Sequence, residues 1–447
     1  MEWDCVLRQK AKNMVKENMS EKKNNYRGVC LRNIALFFRT GLVPAVVIAL
    51  SFKAVGSAFE KIPSAHTGAA IQAAIDAVHD AGGGSVKLER AVYPSGTLYL
   101  KSNVSLVIPE GAVILGGGNA SCYDDVIDKR IGKSPEKSNK VFISCLFQTN
   151  VCITGGGVID GQGPGFYDTN TTARMYAKPK APRTRMIQFV GCRDVRFSGI
   201  TFKDSPGWTC WMRMCENLEF ERVKIHADQK MINNDGFHID GCRKIRIRNC
   251  DLRTGDDCIV MRSIISPNGD SALCEDMIVE DCTLSSNCQA IRLGCPSDGT
   301  IRNGIFRRLK IGGFNGIVSI NPVRYLQDGD HGNLAMENIL VEDCDIDVKA
   351  WPLMYLVESG IKLRSFGNTT FRNLKIKGSH PIRIQGNGFT QAENIRFENV
   401  KGSLRCPDAI VVNSAKGIVF DGFEVATAMP KDEKLSVNTS DGWERVR

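Results

Sequence analysis

The sequence predicts an all-β protein built as a right-handed parallel β-helix with an N-terminal capping α-helix. Three observations predict this fold. Short apolar phrases recur with starts 23 to 35 residues apart, apolar and polar residues alternate within each phrase, and no helical stretch lies between the phrases. Stacked coils of this kind bury their inward side chains against neighbouring coils, so the stability of such a fold is roughly a nearest-neighbour sum.

The recurring phrase consists of an alternating strand, a polar pair and a second short strand. It occurs at 194–202, 217–225, 244–252, 276–284, 303–311, 338–346, 368–376, 394–402 and 417–425. A further apolar strand lies between successive phrases, as in FHID at 237–240 and CIVMR at 258–262. Two or three short strands per coil are therefore expected, joined by bends in which the many glycines sit.

A solenoid exposes the core of its first coil unless something covers it. Thr67–Ala81 predicts a helix that does so, because Thr67 is a good N-cap and Ile71, Ile75 and Val78 share one face. Three glycines at 82–84 would end the helix. We expect the β-helix domain to span 59–430 and a polar C-terminal tail to span 431–447.

The formal charge of +9 over 447 residues lies mostly at one end. Residues 1–58 hold ten Lys/Arg and four Asp/Glu, a net of +6, which leaves +3 for the rest. A basic segment, the apolar run Leu42–Phe52 and small residues up to Ala58 are typical of a secretory signal, with an uncleaved anchor as the alternative. We therefore expect a secreted or periplasmic protein with no nucleic-acid partner and no stable membrane partner after signal removal.

The 17 cysteines need not form disulfides. Fifteen follow residue 58, an odd number, and none shows zinc-ligand spacing. Cys250, Cys282 and Cys344 fall at the same place in their repeats, which favours a ladder of small buried side chains over disulfides. Asn217, Asn338 and Asn394 share another position, where we expect their amides to stack at a bend.

Two acidic clusters stand just before apolar strands of adjacent repeats. They are Asn233-Asn234-Asp235-Gly236 and Thr254-Gly255-Asp256-Asp257-Cys258, and Asp235 and Asp256 are interpreted as occupying equivalent places one coil apart. Because stacked strands lie about 4.8 Å apart, three carboxylates would project onto one small surface.

Such packing lets one carboxyl hold a proton while others stay ionised, which suits glycosidic hydrolysis by an acid and a base. Turn chemistry would also explain a single cluster, and calcium would also explain three acids, but two clusters at matching positions favour catalysis. No metal or other cofactor is expected. The separation of the carboxyls would decide between inversion and retention of configuration.

These motifs resemble glycoside hydrolase family 28, the polygalacturonase-like proteins. The resemblance covers about 65–425 and includes NNDGFHID, TGDDCIVMRS, the VIDGQG segment at 158–163 and FKDSPGWT at 202–209. It implies a right-handed parallel β-helix that hydrolyses pectic polysaccharide with inversion. By this resemblance Asp256 is the general acid, and Asp235 and Asp257 hold and activate the attacking water.

The chain also departs from the family pattern. Gln289 stands where the family has the histidine of Gly-His-Gly, and the Arg-Ile-Lys motif that grips a substrate carboxylate is missing. Arg292 or Arg324 is interpreted either as its substitute or as a solvated surface arginine. We expect Gln289, Asn234 and His238 to bind substrate as well, and a branched or rhamnose-containing pectic chain is as plausible a substrate as plain galacturonan.

The sequence thus predicts a monomeric, secreted hydrolase of pectin-like polysaccharide. One alternative is a β-helical polysaccharide lyase, which needs an arginine-type base and often calcium. Another is a non-catalytic β-helix that binds glycans, although binding alone does not require stacked carboxylates. Trp208 and Trp211 suit core packing better than stacking on sugars.

Overall fold

The computed structural model describes residues 59–128, 138–168, 176–180, 182–264, 272–294, 297–320 and 333–428, with the backbone of two further strands at 437–438 and 444–446. The chain divides into two units, Met1–Val46 and Val47–Arg447, and every described residue belongs to the second. The predicted leader therefore lies outside the described residues. Within them, no helix is both long and apolar enough to cross a membrane.

The second unit is a right-handed parallel β-helix, as the sequence predicts. Each full coil contributes strands to three stacked sheets, called sheets A, B and C in the order in which the chain visits them. Strands that belong to sheet A alone are Glu60–Lys61, Gly84–Lys87, Val104–Ile108, Thr149–Gly155, Arg193–Ser198, Glu216–Glu221, Arg243–Arg248, Leu273–Glu280, Thr300–Arg307, Ala335–Glu342, Ala415–Lys416 and Glu444–Val446.

Sheets B and C complete the coil. Sheet B alone contains Val92–Ser95, Val113–Gly116, Val158–Asp160, Thr201–Lys203, Lys224–His226, Asp251–Thr254 and Asp345–Val348. Sheet C alone contains Leu98–Tyr99, Val141–Leu146, Arg185–Val190, Cys210–Arg213, Phe237–Asp240, Ile259–Arg262, Leu353–Leu356, Ile382–Gln385, Ile410–Asn413 and Val437–Asn438.

Five longer strands bend from one sheet into the next without a break. Two run from sheet B into sheet C, namely Thr283–Leu293 and Lys310–Ile320. Three run from sheet A into sheet B, namely Ser365–Gly378, Ala392–Leu404 and Val419–Thr427. The strands at 437–438 and 444–446 lie in the predicted tail, so pairing of sheets C and A continues beyond residue 430.

Apart from the coils, the unit has one α-helix, Gly68–Asp80, within the described residues. Thr67 caps it as predicted, because its hydroxyl accepts a hydrogen bond from the backbone N–H of Ala70. The buried face includes Ile71, Ile75 and Val78. Short 3-10 helices cover Ala120–Cys122 and Gly163–Phe166, and a small antiparallel pair joins Tyr167–Asp168 to Lys178–Pro179.

Inward-facing side chains form columns that run along the helix axis. One column in sheet A stacks Phe371, Phe397 and Phe420, whose ring centroids are 5.2 and 5.3 Å apart and nearly parallel. Phe197 and Phe220 stack in the same column in earlier coils. Phe397 thus contacts its equivalents both above and below, which is the nearest-neighbour packing that a solenoid requires.

All described cysteines are free thiols. Cys250, Cys282 and Cys344 are buried at equivalent positions, as predicted, although Leu309 takes this position in the coil between Cys282 and Cys344. A second cysteine ladder, which the repeat spacing did not predict, lies at the bend from sheet C to sheet A, and in it backbone N–H groups donate to the sulfur of the next coil. Its members are Cys192, Cys215 and Cys242.

Two of the three predicted asparagine positions stack amide on amide, whereas Asn217 donates instead to the carboxylate of Asp194 in the preceding coil. Asn394 donates to Asn368 at 3.0 Å, and Asn338 donates to Asn303 at 3.4 Å. Each of these four residues has a positive φ near 50°, a conformation that asparagine tolerates better than most residues. The stacked amides thus satisfy one another at bends whose backbone shape calls for asparagine.

Candidate active site

The acidic residues lie where the chain turns from sheet B into sheet C. At this bend one outward column runs through successive coils in hydrogen-bonded register. Its members are Trp208, Asp235, Asp257, Gln289 and Asn315. Two carboxylates and an amide therefore project side by side from three neighbouring rungs of the β-helix.

The register corrects one detail of the sequence analysis. Phe237 pairs with Ile259, so Asp235 is level with Asp257 rather than with Asp256. The N–H of Gly236 donates to the carbonyl of Asp257, which fixes the same alignment. Asp256 stands one residue earlier, in the bend itself. The three acids still come together, as the sequence predicts.

Both bends depend on glycine because the coils approach closely there. A Cβ on Gly255 would lie 2.0 Å from the carbonyl oxygen of Met231, and one on Gly236 would lie 2.3 Å from that of Cys258. Asn234 ties the two bends together: its Oδ1 accepts from the N–H groups of Gly255 and Asp256.

Asn234 is fully buried, and its Nδ2 donates to the carbonyl of Asp228. Both ends of its amide are therefore occupied by backbone groups. Its place in the structure is that of a residue that holds the bends in shape, rather than that of a residue in direct contact with substrate.

The Asp256 carboxylate is held by three N–H donors. Oδ2 accepts from the backbone N–H of Asn233 at 3.0 Å and from its Nδ2 at 3.3 Å, and Oδ1 accepts from the N–H of Asp257 at 3.1 Å. Asn233 itself has a φ of +60°, and both its backbone nitrogen and its Nδ2 face the acid. The orientation of Asp256 is thus set by its neighbours in two coils.

Sequence reasoning missed two residues that contact this arrangement. Arg183 donates from Nη2 to Oδ1 of Asn233 at 2.8 Å and from Nη1 to the carbonyl of Ile232 at 2.8 Å. The hydroxyl of Tyr176 donates to the carbonyls of Gly255 and Asn287 at 3.1 and 3.2 Å. Neither residue falls within the repeated phrases, so no sequence signal placed them here.

Replacing Arg183 with Met should weaken catalysis without preventing folding. The substitution keeps the aliphatic stem but frees the Asn233 amide, so the Asp256 carboxylate loses part of its support. We expect kcat to fall about tenfold with KM nearly unchanged, because small misplacements of a reacting group are costly. Arg253→Met, at a side chain that is 62% exposed, is the matched control. Equal kcat in the two variants would contradict this role for Arg183.

Asp257 is the acid most strongly perturbed by its surroundings. It is 4% exposed, and burial together with the neighbouring Asp256 charge raises its pKa to about 7. Arg292 opposes this rise, with Nη1 3.4 Å from Oδ2 of Asp257, and the N–H of Gln289 donates to Oδ1 at 3.3 Å. Near neutral pH this carboxyl therefore exchanges a proton readily.

Gln289 and Arg292 also contact each other. Nη1 of Arg292 donates to Oε1 of Gln289 at 3.1 Å, and the thiol of Cys288 lies 2.7 Å from the same oxygen. Both predicted substrate-binding residues therefore border the acids. Arg324, the other predicted carboxylate-binding residue, lies outside the described residues.

Asp256, Asp257 and Cys288 form the one cluster of potential metal ligands found among the described residues, with ligand atoms within 4.8 Å of one another. Burial, Asp257 and Asp256 all raise the pKa of the Cys288 thiol, so it is not a ready thiolate ligand. Two carboxylates and a thiol also fall short of the six to eight oxygens that calcium takes. We assign no metal to this cluster.

His238 does not line an open surface, contrary to the expectation that it binds substrate. It is 3% exposed, and its ring stacks on Trp208 with centroids 3.8 Å apart. Its Nδ1 lies 3.0 Å from Oδ2 of Asp235. Trp208 and Trp211 are themselves buried, in a small cluster with Val190 on the outer side of sheet C. The histidine thus contacts one of the acids directly.

The part of the chain that holds this site is similar to known glycosyl hydrolases. A model of the family described as glycosyl hydrolases family 28 matches residues 107–294, a span that contains all three acids. The chain is similar to an exopolygalacturonase of Zea mays, with 24% identity over 356 residues, which are 70% of this chain and 80% of the relative. It is also similar to a polygalacturonase of Gossypium barbadense, with 26% identity over 345 residues, covering 73% and 71% of the two chains.

Among solved structures, an exopolygalacturonase of Thermotoga maritima matches with a TM-score of 0.65 and 20% identity, over 82% of this chain and 92% of that one. At this identity the likeness concerns the fold. The match shows that the arrangement of the three sheets is one found in a solved structure. The inferred chemistry is drawn from the acidic residues of this chain instead.

Proposed function

Because the chain belongs to family 28 of the glycosyl hydrolases, we propose that it is a secreted, monomeric enzyme that hydrolyses glycosidic bonds in pectic polysaccharide with inversion. The observation that carries the proposal is the convergence of Asp235, Asp256 and Asp257 at one bend of two adjacent coils. The named polygalacturonase relatives support a galacturonan-type substrate.

In the proposed reaction, Asp256 gives a proton to the glycosidic oxygen while Asp235 and Asp257 hold a water molecule on the opposite side of the sugar. The water oxygen bonds to the anomeric carbon, the bond from that carbon to the glycosidic oxygen breaks, and the water's proton passes to a carboxylate. Asp256 lies at the bend with a fixed orientation, whereas Asp235 and Asp257 stand level on adjacent rungs. The proposed proton donor, Asp256, thus stands apart from Asp235 and Asp257, the two carboxylates proposed to hold the water.

Arg292 is the described residue best placed to receive a uronate carboxylate of the substrate. Its side chain is 12% exposed and its guanidinium lies beside Asp257 and Gln289, so a substrate carboxylate bound to it would lie next to the proposed catalytic acids. We propose that Arg292, with Gln289 beside it, takes over the carboxylate contact that the family's Arg-Ile-Lys motif supplies.

A change at Arg292 should shift the pH dependence of hydrolysis. Arg292 lowers the pKa of Asp257, which burial has raised to about 7. In Arg292→Met this opposing charge is gone, the pKa of Asp257 rises further, and the ionised form appears only at higher pH. We therefore expect the acid limb of the pH profile of kcat/KM to move to higher pH. We also expect KM for acidic chains to rise.

The control for this shift is Arg383→Met, which removes the arginine that lies level with Arg292 on sheet C three coils further on. Its acid limb should coincide with that of the wild type. An unshifted acid limb in Arg292→Met would mean that Asp257 does not act as an ionised base.

A panel of polysaccharides with detection of new reducing ends tests the proposal. We expect reducing ends from polygalacturonate or from a rhamnogalacturonan, and none from neutral glucans. Products that absorb ultraviolet light as unsaturated uronides would identify a lyase instead. Binding without cleavage across all pectic chains would identify a glycan-binding β-helix.

A further inference from the structure

His238 contacts an acid of the site, yet the proposed reaction gives it no role. It lies on sheet C, level with Trp211 of the preceding coil and Val260 of the following coil. Its imidazole is enclosed, with Trp208 stacked 3.8 Å away at an angle of 20° and with Oδ2 of Asp235 3.0 Å from Nδ1. Burial and the stacking on Trp208 therefore hold the ring beside this carboxylate.

The surroundings of His238 keep the ring neutral. Burial lowers its pKa well below the usual value, and the charges of Arg262, Arg185 and Arg292 lower it further. Asp240 acts in the opposite direction, but it is fully buried and already paired with Arg213 at 2.6 Å and Arg262 at 3.2 Å.

A neutral imidazole carries a single N–H, so its tautomer matters. Asp235 offers a carboxylate acceptor at Nδ1, whereas Nε2 has no hydrogen-bond partner among the residues that the structure describes. The arrangement that satisfies the buried carboxylate places the proton on Nδ1 and leaves a lone pair on Nε2.

We propose that His238 is a positioning residue, which donates its Nδ1–H to Asp235 and, with Trp208 fixing the plane of its ring, holds that carboxylate toward the attacking water. The inference rests on the proposed function, because it assigns His238 to the water-binding pair of the hydrolytic site. It also means that the histidine next to the acids serves hydrogen bonding rather than proton transfer.

Two substitutions of His238 separate positioning from simple packing. His238→Leu removes the donor, and we expect kcat on the cleaved pectic chain to fall about 100-fold with KM changed less than about threefold. His238→Asn retains an N–H donor near the position of Nδ1. Its kcat should be at least tenfold higher than that of His238→Leu.

The matched control is His380→Leu, which removes a histidine packed on Trp351 at 4.6 Å, far along the chain from the acids. It should keep wild-type kcat. Equal losses in His238→Leu and His238→Asn would overturn the inference in favour of a packing role. Wild-type kcat in His238→Leu would overturn it outright, whereas an inactive wild type would count against the proposed function instead.

Nitrogen-15 NMR of the imidazole rings gives a readout that does not depend on activity. With the His238 signal assigned by its loss in His238→Asn, we expect a neutral ring protonated at Nδ1 throughout pH 5 to 8. A ring protonated at Nε2 alone, or one that becomes doubly protonated in this range, would overturn the inference.

Discussion

Asp256→Asn should reduce hydrolysis of the pectic substrate about a thousandfold while leaving the fold intact. General acid catalysis contributes roughly 10²- to 10⁴-fold to a rate, and asparagine cannot donate a proton to a departing glycosidic oxygen. The side chain keeps its shape, and at the bend the backbone N–H of Asp256 still donates to Asn234. The change should therefore appear in kcat, with KM for the chain nearly unchanged.

The control for this variant is Asp347→Asn, which alters an acid that is 67% exposed in sheet B and pairs with Lys377 at 3.4 Å. It should hydrolyse at the wild-type rate. Measurement of initial rates by reducing-end release, with circular dichroism to confirm folding, checks both. An Asp256→Asn protein within tenfold of the wild type would show that another group supplies the proton.

Phe397→Ala should produce the largest loss of stability among single substitutions in the aromatic column. Phe397 is fully buried and stacks between Phe371 and Phe420, with interplanar angles of 17° and 9°. Truncating a buried phenylalanine to alanine typically costs about 3–5 kcal/mol, part of it from the cavity left behind. Because coils are stabilised by their neighbours, we expect the C-terminal coils to open together before the rest.

Hydrogen exchange with mass spectrometry can follow this opening coil by coil. Faster exchange in 365–428 with little change in 84–160 is the expected pattern for Phe397→Ala. Phe389→Ala, at a side chain that is 68% exposed, is the control and should exchange like the wild type. A uniform increase in hydrogen exchange along the whole β-helix would show that the C-terminal coils do not open before the rest.

The fold was largely predictable because its signal is repeated. Each coil places the same residue types at the same bends, so the strands, the cysteine position at 250 and 282 and the asparagine ladders can be read from spacing alone. The capping helix at Gly68–Asp80 was predictable from its N-cap and apolar face.

The site was only partly predictable. The acids share a bend, and the motifs place them correctly on adjacent coils. Their register was wrong by one residue because the bend before Asp257 differs in length from that before Asp235, which sequence spacing does not show. Arg183 and Tyr176 reach the site from a segment outside the repeats, and such contacts depend on the path of a loop in space.

The burial of His238 and Asn234 could not be predicted from the sequence either. Both stand beside acidic residues in the chain, which suggested contact with substrate. In the structure both ends of the Asn234 amide form hydrogen bonds with backbone groups, and the ring of His238 is stacked against Trp208. Whether a polar residue at a bend meets solvent or its own protein depends on the side chains of the neighbouring coil.

Cleavage in water enriched in oxygen-18 tests the central claim most directly. If the three acids activate water, the cleavage of each glycosidic bond in polygalacturonate or rhamnogalacturonan should place one heavy oxygen on the new anomeric carbon, as measured by mass spectrometry of the first products. Asp256→Asn should give almost no labelled product. Unlabelled, unsaturated products, or intact chains after prolonged incubation with folded wild-type protein, would contradict the account.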